Sequence, residues 1–215
     1  MSDLGRNLKG MERQARLGNA AVYVLEHHSK ETPFKILVYT MLSARTKDET
    51  TTAAAGRLFT VADSAKRIAA MDEKKIEGLI RPVGFYKTKA RHLKELCGKV
   101  EKEFGGKVPQ NARELMSLPG VGIKTAHIVL ARAFGQDVIG VDTHVHRISN
   151  RLGLVKTKKP EETSKLLNDK IPKKYRKGFN RVLVAFGQTV CRPVGPRCES
   201  CYLLKCCERE GLRSL

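Results

Sequence analysis

A chain of 215 residues with 41% hydrophobic side chains has enough apolar mass for one domain or two small ones, which excludes disorder along its whole length. Lys and Arg number 41 against 22 acids, a formal charge of +19, and self-repulsion of that size argues for a polyanionic partner, nucleic acid first. No apolar run approaches the ~20 residues of a membrane span, and the opening MSDLGRNLKGMERQARLG lacks the apolar core of a signal peptide. The expected setting is a reducing cytoplasm, nucleoid-associated in a prokaryote. There the six cysteines serve as metal ligands or buried thiols rather than disulfides.

Helical periodicity dominates and strand alternation is nearly absent. In TPFKILVYTMLSAR, Thr32 suits an N-cap and Pro33 the first helical position, and the dense apolar residues that follow mark a buried helix. Helices are expected over Asp48 to Phe59, Ala62 to Ala70 and Asp72 to Ile80, the last halted before Pro82. YKTKARHLKELCGKVEKEFGG reads as a long amphipathic helix ended by Gly105 and Gly106, with Cys97 on its apolar side. A short helix near Asn111 to Ser117 precedes LPGVGIKTAHIVLARAFG. Asp142 caps a helix through Leu152, Pro160 opens another, and Lys174 to Thr189 forms the last long one. With about ten helices the chain reads as all-α. The tail from Cys191 is irregular and rich in cysteine.

LPGVG, Leu118 to Gly122, sets a proline and two glycines between two helical patterns. That composition makes a tight turn with accessible backbone N–H groups, and the positive end of the next helix points to the same place. Together they suit a DNA phosphate, although the same residues also make an ordinary helix–helix turn. Lys124 follows in the first helical turn. A helix N-terminus disfavours a cation and so favours the neutral amine, the form that attacks a sugar C1′ and becomes a Schiff base. The plainer reading of Lys124 is one solvent-facing lysine among many. Asp142, in GVDTHVHRISNRL, reads as a cap that stays ionised. A carboxylate of that kind can also stabilise oxocarbenium character and assist proton transfer. Cys191, Cys198, Cys201 and Cys207 follow C-x6-C-x2-C-x5-C. Four such thiolates can hold a [4Fe–4S] cluster or a structural zinc, and the residues alone leave that choice open.

LPGVGIKTAHIVLARAFG followed by VDTHVHRISNRL resembles the helix-hairpin-helix and Gly/Pro…Asp core of the endonuclease III family. The likeness continues upstream through MLSARTKDE and GFYKTKA and downstream through the cysteine tail, from about Phe34 to Cys207. It implies two helical lobes with a DNA-binding cleft between them. Residues 25–136 would form a continuous helical block with the hairpin at about 110–130, and residues 1–24 with 137–215 would join the terminal helices to the cluster loop. It implies that Lys124 is the nucleophile, that Asp142 is the essential aspartate, and that the two meet at the cleft mouth. It also implies that Cys191, Cys198, Cys201 and Cys207, rather than Cys206, hold a [4Fe–4S] cluster.

Relatives that only remove a base usually lack a lysine at the Lys124 position. Its presence here implies a bifunctional enzyme that excises an oxidised pyrimidine and then nicks the strand by β-elimination. Such an enzyme must extrude its target nucleotide. By the resemblance, Arg45 takes the place of a gap-filling polar residue, usually Gln, and Phe85 that of an apolar wedge. Lys87 and Lys89 are read as lining a DNA-facing loop. Leu118, Gly120, Val121 and Gly122 form the phosphate hairpin, and His144 lines the pocket or meets a phosphate. The expected partner is double-stranded DNA carrying a damaged base or abasic site, bound by a monomer. Two rivals stand beside this reading: a monofunctional mismatch glycosylase, and a non-catalytic helix-hairpin-helix DNA-binding protein with a structural metal.

Overall fold

The computed structural model describes residues 3–20, 22 and 32–212, and the regular structure among them is entirely helical. The chain divides into two compact units, one drawn from Met1–Ser29 and Asp137–Leu215, the other from Lys30–Gln136. The boundary expected at 24/25 falls outside the described residues.

Helix α1 (Leu4–Leu17) belongs to the first unit. The second unit contains α2 (Pro33–Ser43), α3 (Asp48–Val61), α4 (Ala65–Ala69), α5 (Glu73–Ile80), α6 (Tyr86–Phe104), α7 (Ala112–Met116) and α8 (Ile123–Phe134). The first unit resumes with α9 (Thr143–Arg151), α10 (Pro160–Lys170), α11 (Lys173–Arg176), α12 (Phe179–Thr189) and a 3₁₀ turn at Leu204–Cys206.

Short polar side chains cap several of the helix starts. Thr32 accepts from the Lys35 N–H with Pro33 at the first helical position. Ser64 accepts from Arg67, Asp72 from Lys74 and Asn111 from Glu114. Each of these bonds satisfies a backbone donor that the helix itself cannot. The Ser64 cap starts α4 at Ala65, later than the Ala62 expected, and α3 runs on to Val61, past the expected Phe59. The expected single helix from Lys174 to Thr189 is two. Gly178 takes a left-handed φ of +80° between α11 and α12, and a helix cannot continue through that conformation.

Within the second unit, α6 packs on α4 and α5, while α2 packs on α3 and α8. The stripe Ala90, Leu93, Leu96, Cys97 and Val100 recurs every three or four residues and is wholly buried. Cys97 therefore sits in the core as expected, and burial, aided by Glu101, pushes its thiol up to about 12. Helix α2 buries Phe34, Ile36, Leu37, Val38, Thr40, Met41 and Leu42, so it is apolar on nearly every side. In the first unit α12 is the hub. It packs on α1 and α9, and Phe179, Leu183 and Phe186 join Met11, Val145 and Ile148 in one core.

Truncating the hub tests that packing. Phe186 is 1% exposed, and Phe186→Ala should lower the free energy of unfolding by ~3–5 kcal/mol in a urea titration. A loss below ~1 kcal/mol would contradict a filled core at that point.

Candidate active site

The hairpin between α7 and α8 is held by its apolar side chains. Leu118 and Val121 are 2% and 6% exposed, and the Val121 N–H donates to the Leu118 carbonyl at 3.1 Å. Their side chains anchor the hairpin, and the Val121 N–H is used within the turn. Gly120 has φ +77°, a left-handed conformation that favours glycine, and a Cβ there would lie a tight 3.1 Å from Nδ1 of His92. Gly122 is the N-cap of α8 and has no side chain to accept from the helix's first N–H groups. Those groups remain available to an outside acceptor. Lys124 sits half-buried in that same first turn, beside the buried Thr125 and Ala126.

Asp142 caps α9 as expected. Its Oδ1 accepts from the backbone of both His144 and Val145 at 2.9 Å. Because both bonds fall on Oδ1, capping leaves Oδ2 for other work. Arg147, one turn on, donates to the Cys191 carbonyl at 2.9 and 3.2 Å and to the Gly187 carbonyl at 3.3 Å. Burial pulls its guanidinium down, while the proximity of Cys191 and Asp142 works the other way. Arg147 Nη2 also lies 3.1 Å from His144 Nδ1. Arginine can only donate, so Nδ1 accepts, and a neutral His144 carries its proton on Nε2.

Arg45 and Phe85 stand together at the surface of the second unit. Phe85 is 64% exposed, and the Arg45 guanidinium lies over its ring at 5.7 Å. Both residues have left-handed backbones, at φ +53° and +58°. Such a conformation costs a side-chain-bearing residue about 1–3 kcal/mol and persists only where the surroundings over-determine it. Lys87 is exposed in the first turn of α6.

Lys89 is a correction. Expected at the DNA face, it is 8% exposed and turned inward. Its ammonium donates to the carbonyls of Leu42 at 2.7 Å and Ala44 at 2.6 Å and to Thr46 Oγ1 at 3.2 Å. Those bonds use all three of its protons, so none is left for a phosphate. Burial pulls its amine down to about 8.

In the tail, Cys191, Cys198, Cys201 and Cys207 line a single cavity with Arg151, Phe186 and Leu204, and Cys206 is not part of it. Cys206 is exposed, its thiol 3.4 Å from the Leu203 carbonyl. Burial pushes the Cys201 thiol up to about 11, with Cys191, Cys207 and Cys198 near enough to add to the shift. Arg151 carries the start of the tail. It donates to the carbonyls of Arg192 at 2.7 Å and Pro193 at 3.1 Å, and to Cys191 Sγ at 3.4 Å. Sequence reasoning missed Arg147 and Arg151, which look like members of a general basic surface until their acceptors are seen. Among the described residues no three His, Cys, Asp or Glu side chains converge as a single bound ion would require.

Residues 38–173 match the family described as HhH-GPD superfamily base excision DNA repair protein. Endonuclease III of Thermotoga maritima is 42% identical over 182 residues, 85% of each chain. Endonuclease III-like protein 1 of Mus musculus is 40% identical over 189 residues, which cover 86% of this chain and 63% of that one. A solved structure described as a trapped endonuclease III–DNA covalent intermediate, an estranged-adenine complex, superposes with a TM-score of 0.80. It is 34% identical, over 92% of this chain and 96% of the other. By these matches the chain belongs to the endonuclease III family, within the HhH-GPD superfamily of base excision DNA repair proteins.

Proposed function

We propose that this chain is a bifunctional DNA glycosylase and AP lyase. It removes an oxidised pyrimidine from double-stranded DNA and then cleaves the strand at the abasic site. The observation that carries the reading is the placement of Lys124, a half-buried amine in the first turn of α8 directly behind the glycine hairpin. A similar fold caught in a covalent complex with DNA supports it.

The chemistry follows from the residues in place. Neutral Lys124 Nζ attacks C1′ of the damaged nucleotide, the N-glycosidic bond breaks, and the base leaves with the bonding pair and takes up a proton. The sugar ring opens, leaving an iminium between Nζ and C1′. Loss of a proton from C2′ then expels the 3′ phosphate oxygen with the C3′–O bonding pair, which nicks the strand 3′ to the site. Water releases Lys124. Asp142, held by its capping bonds with Oδ2 unused by them, stabilises positive character at C1′ as the base departs and moves protons around the amine. The backbone N–H groups of Gly120 and Gly122 and of the start of α8 take a phosphate. His144, with its proton on Nε2, donates to another. Arg45 and Phe85 fill the space left by the extruded nucleotide, Arg45 donating to the orphaned base.

Cys191, Cys198, Cys201 and Cys207 would hold a [4Fe–4S] cluster. Four thiols on the wall of one cavity would supply the four thiolates such a cluster needs. The bound cluster supplies a cross-link that fixes the basic loop bearing Arg192, Arg197 and Lys205.

Two outcomes are expected. With duplexes carrying an abasic site, thymine glycol or a G·T mismatch, borohydride should trap the protein on the first two. Lys124→Gln should abolish trapping with DNA affinity kept within about threefold, and Asp142→Asn, still a good cap, should hold stability within ~0.5 kcal/mol while slowing base release roughly 10²–10⁴-fold. Base release from the mismatch without trapping would point to a monofunctional enzyme, and Lys124→Ala without effect in any DNA assay to a binding module. Separately, the purified protein should be brown. Cys207→Ser should lose iron and visible absorbance while Cys206→Ser keeps both. A colourless zinc protein, or equal loss in the two variants, would contradict the ligand set.

A further inference from the structure

The buried ammonium of Lys89 has no part in the reaction described above, yet it occupies a closed network. Its three protons go to Leu42 O, Ala44 O and Thr46 Oγ1. Thr46 Oγ1 also accepts from the Gly84 N–H at 3.2 Å and donates to Ala44 O at 3.3 Å, so its one proton and two lone pairs are likewise all engaged. The network ties the segment on either side of Arg45 to the segment just before Phe85. Gly84 completes it, because a Cβ there would lie 2.7 Å from the Arg45 carbonyl oxygen. Burial pulls the Lys89 amine down, and its three partners are neutral oxygens. Burying an ammonium carries a desolvation cost that neutral acceptors offset only in part. The ammonium is a specific device for holding three acceptors at fixed points.

We infer that Lys89 is a positioning residue for opening the duplex. By clamping residues 42–46 against Gly84, it holds Arg45 and Phe85 in their two left-handed conformations as one preformed unit. The unit then enters the base stack without first having to be ordered. This rests on the proposed roles of Arg45 and Phe85. It differs from them in placing a determinant of extrusion on a side chain that never meets DNA.

The test is single-turnover strand cleavage by the full chain at one abasic site, presented in duplex and in the same strand alone. Lys89→Met keeps the length and removes the donors. It should slow duplex cleavage on the order of tenfold and leave single-strand cleavage within about twofold. Added to an Arg45→Ala/Phe85→Ala variant, it should cause no further duplex loss, because residues acting through one another are not additive. Equal loss on both substrates, no loss on duplex, or a fully additive effect would overturn the inference. Should Lys89→Met fail to fold, Gly84→Ala disturbs Arg45 from the opposite side. It should reproduce the duplex-only loss, and an equal or absent loss there would overturn the inference too. A wild-type chain inactive on both substrates would remove the underlying reading and this inference with it.

Discussion

An α-helix leaves its first four N–H groups and last four C=O groups without partners, and a chain built of helices must satisfy every one of them or put them to use. Two sets of ends stand out here. Thr32, Ser64, Asp72 and Asn111 close their helices with short polar side chains. Three other ends carry the candidate chemistry. The start of α8 has only Gly122 before it and offers N–H groups to an anion. The start of α9 is closed by Asp142, whose second carboxylate oxygen the cap does not use. The carbonyl end of α2 is closed by a lysine from α6. A cation belongs at a helix C-terminus as an anion belongs at an N-terminus, so the same backbone dipole organises all three.

Charge then separates two populations of basic residues. The net +19 serves attraction to a polyanion, and most of these side chains are exposed. Lys89, Arg147 and Arg151 are withdrawn from that surface and spend their donors on backbone carbonyls. The two arginines project from α9, whose N-cap is Asp142, and both reach the Cys191–Pro193 segment. One short helix therefore carries the carboxylate at its start and the anchor of the cysteine tail along its length. Disturbing the tail should be felt at the carboxylate, because the two are joined by a rigid element rather than by a loop.

Much of this was legible in the residues. Thr32–Pro33, Asp142 and Gly105–Gly106 are punctuation with a local cause, so reading them needs no tertiary information. The break at Gly178 was legible in principle, since that glycine separates the basic KKYRK run from the apolar residues that follow. Lys89 was misread because composition places it among basic neighbours near a loop expected to face DNA. The signal that could have placed it correctly was periodicity. It lies four residues before Leu93, on the same stripe as Leu96, Cys97 and Val100, and so on the buried face of α6. Its three acceptors come from residues more than forty positions away, and no local pattern contains them. Leu118 and Val121, apolar residues of the hairpin, are buried and hold it down.

The central claim is that one amine, Nζ of Lys124, bonds to deoxyribose. The direct measurement is to reduce the complex formed with an abasic-site duplex, digest it, and locate the sugar adduct by mass spectrometry. The account predicts a single reduced adduct on Lys124. An adduct on another lysine or on the terminal amine, or none while the strand is still cut, would contradict it.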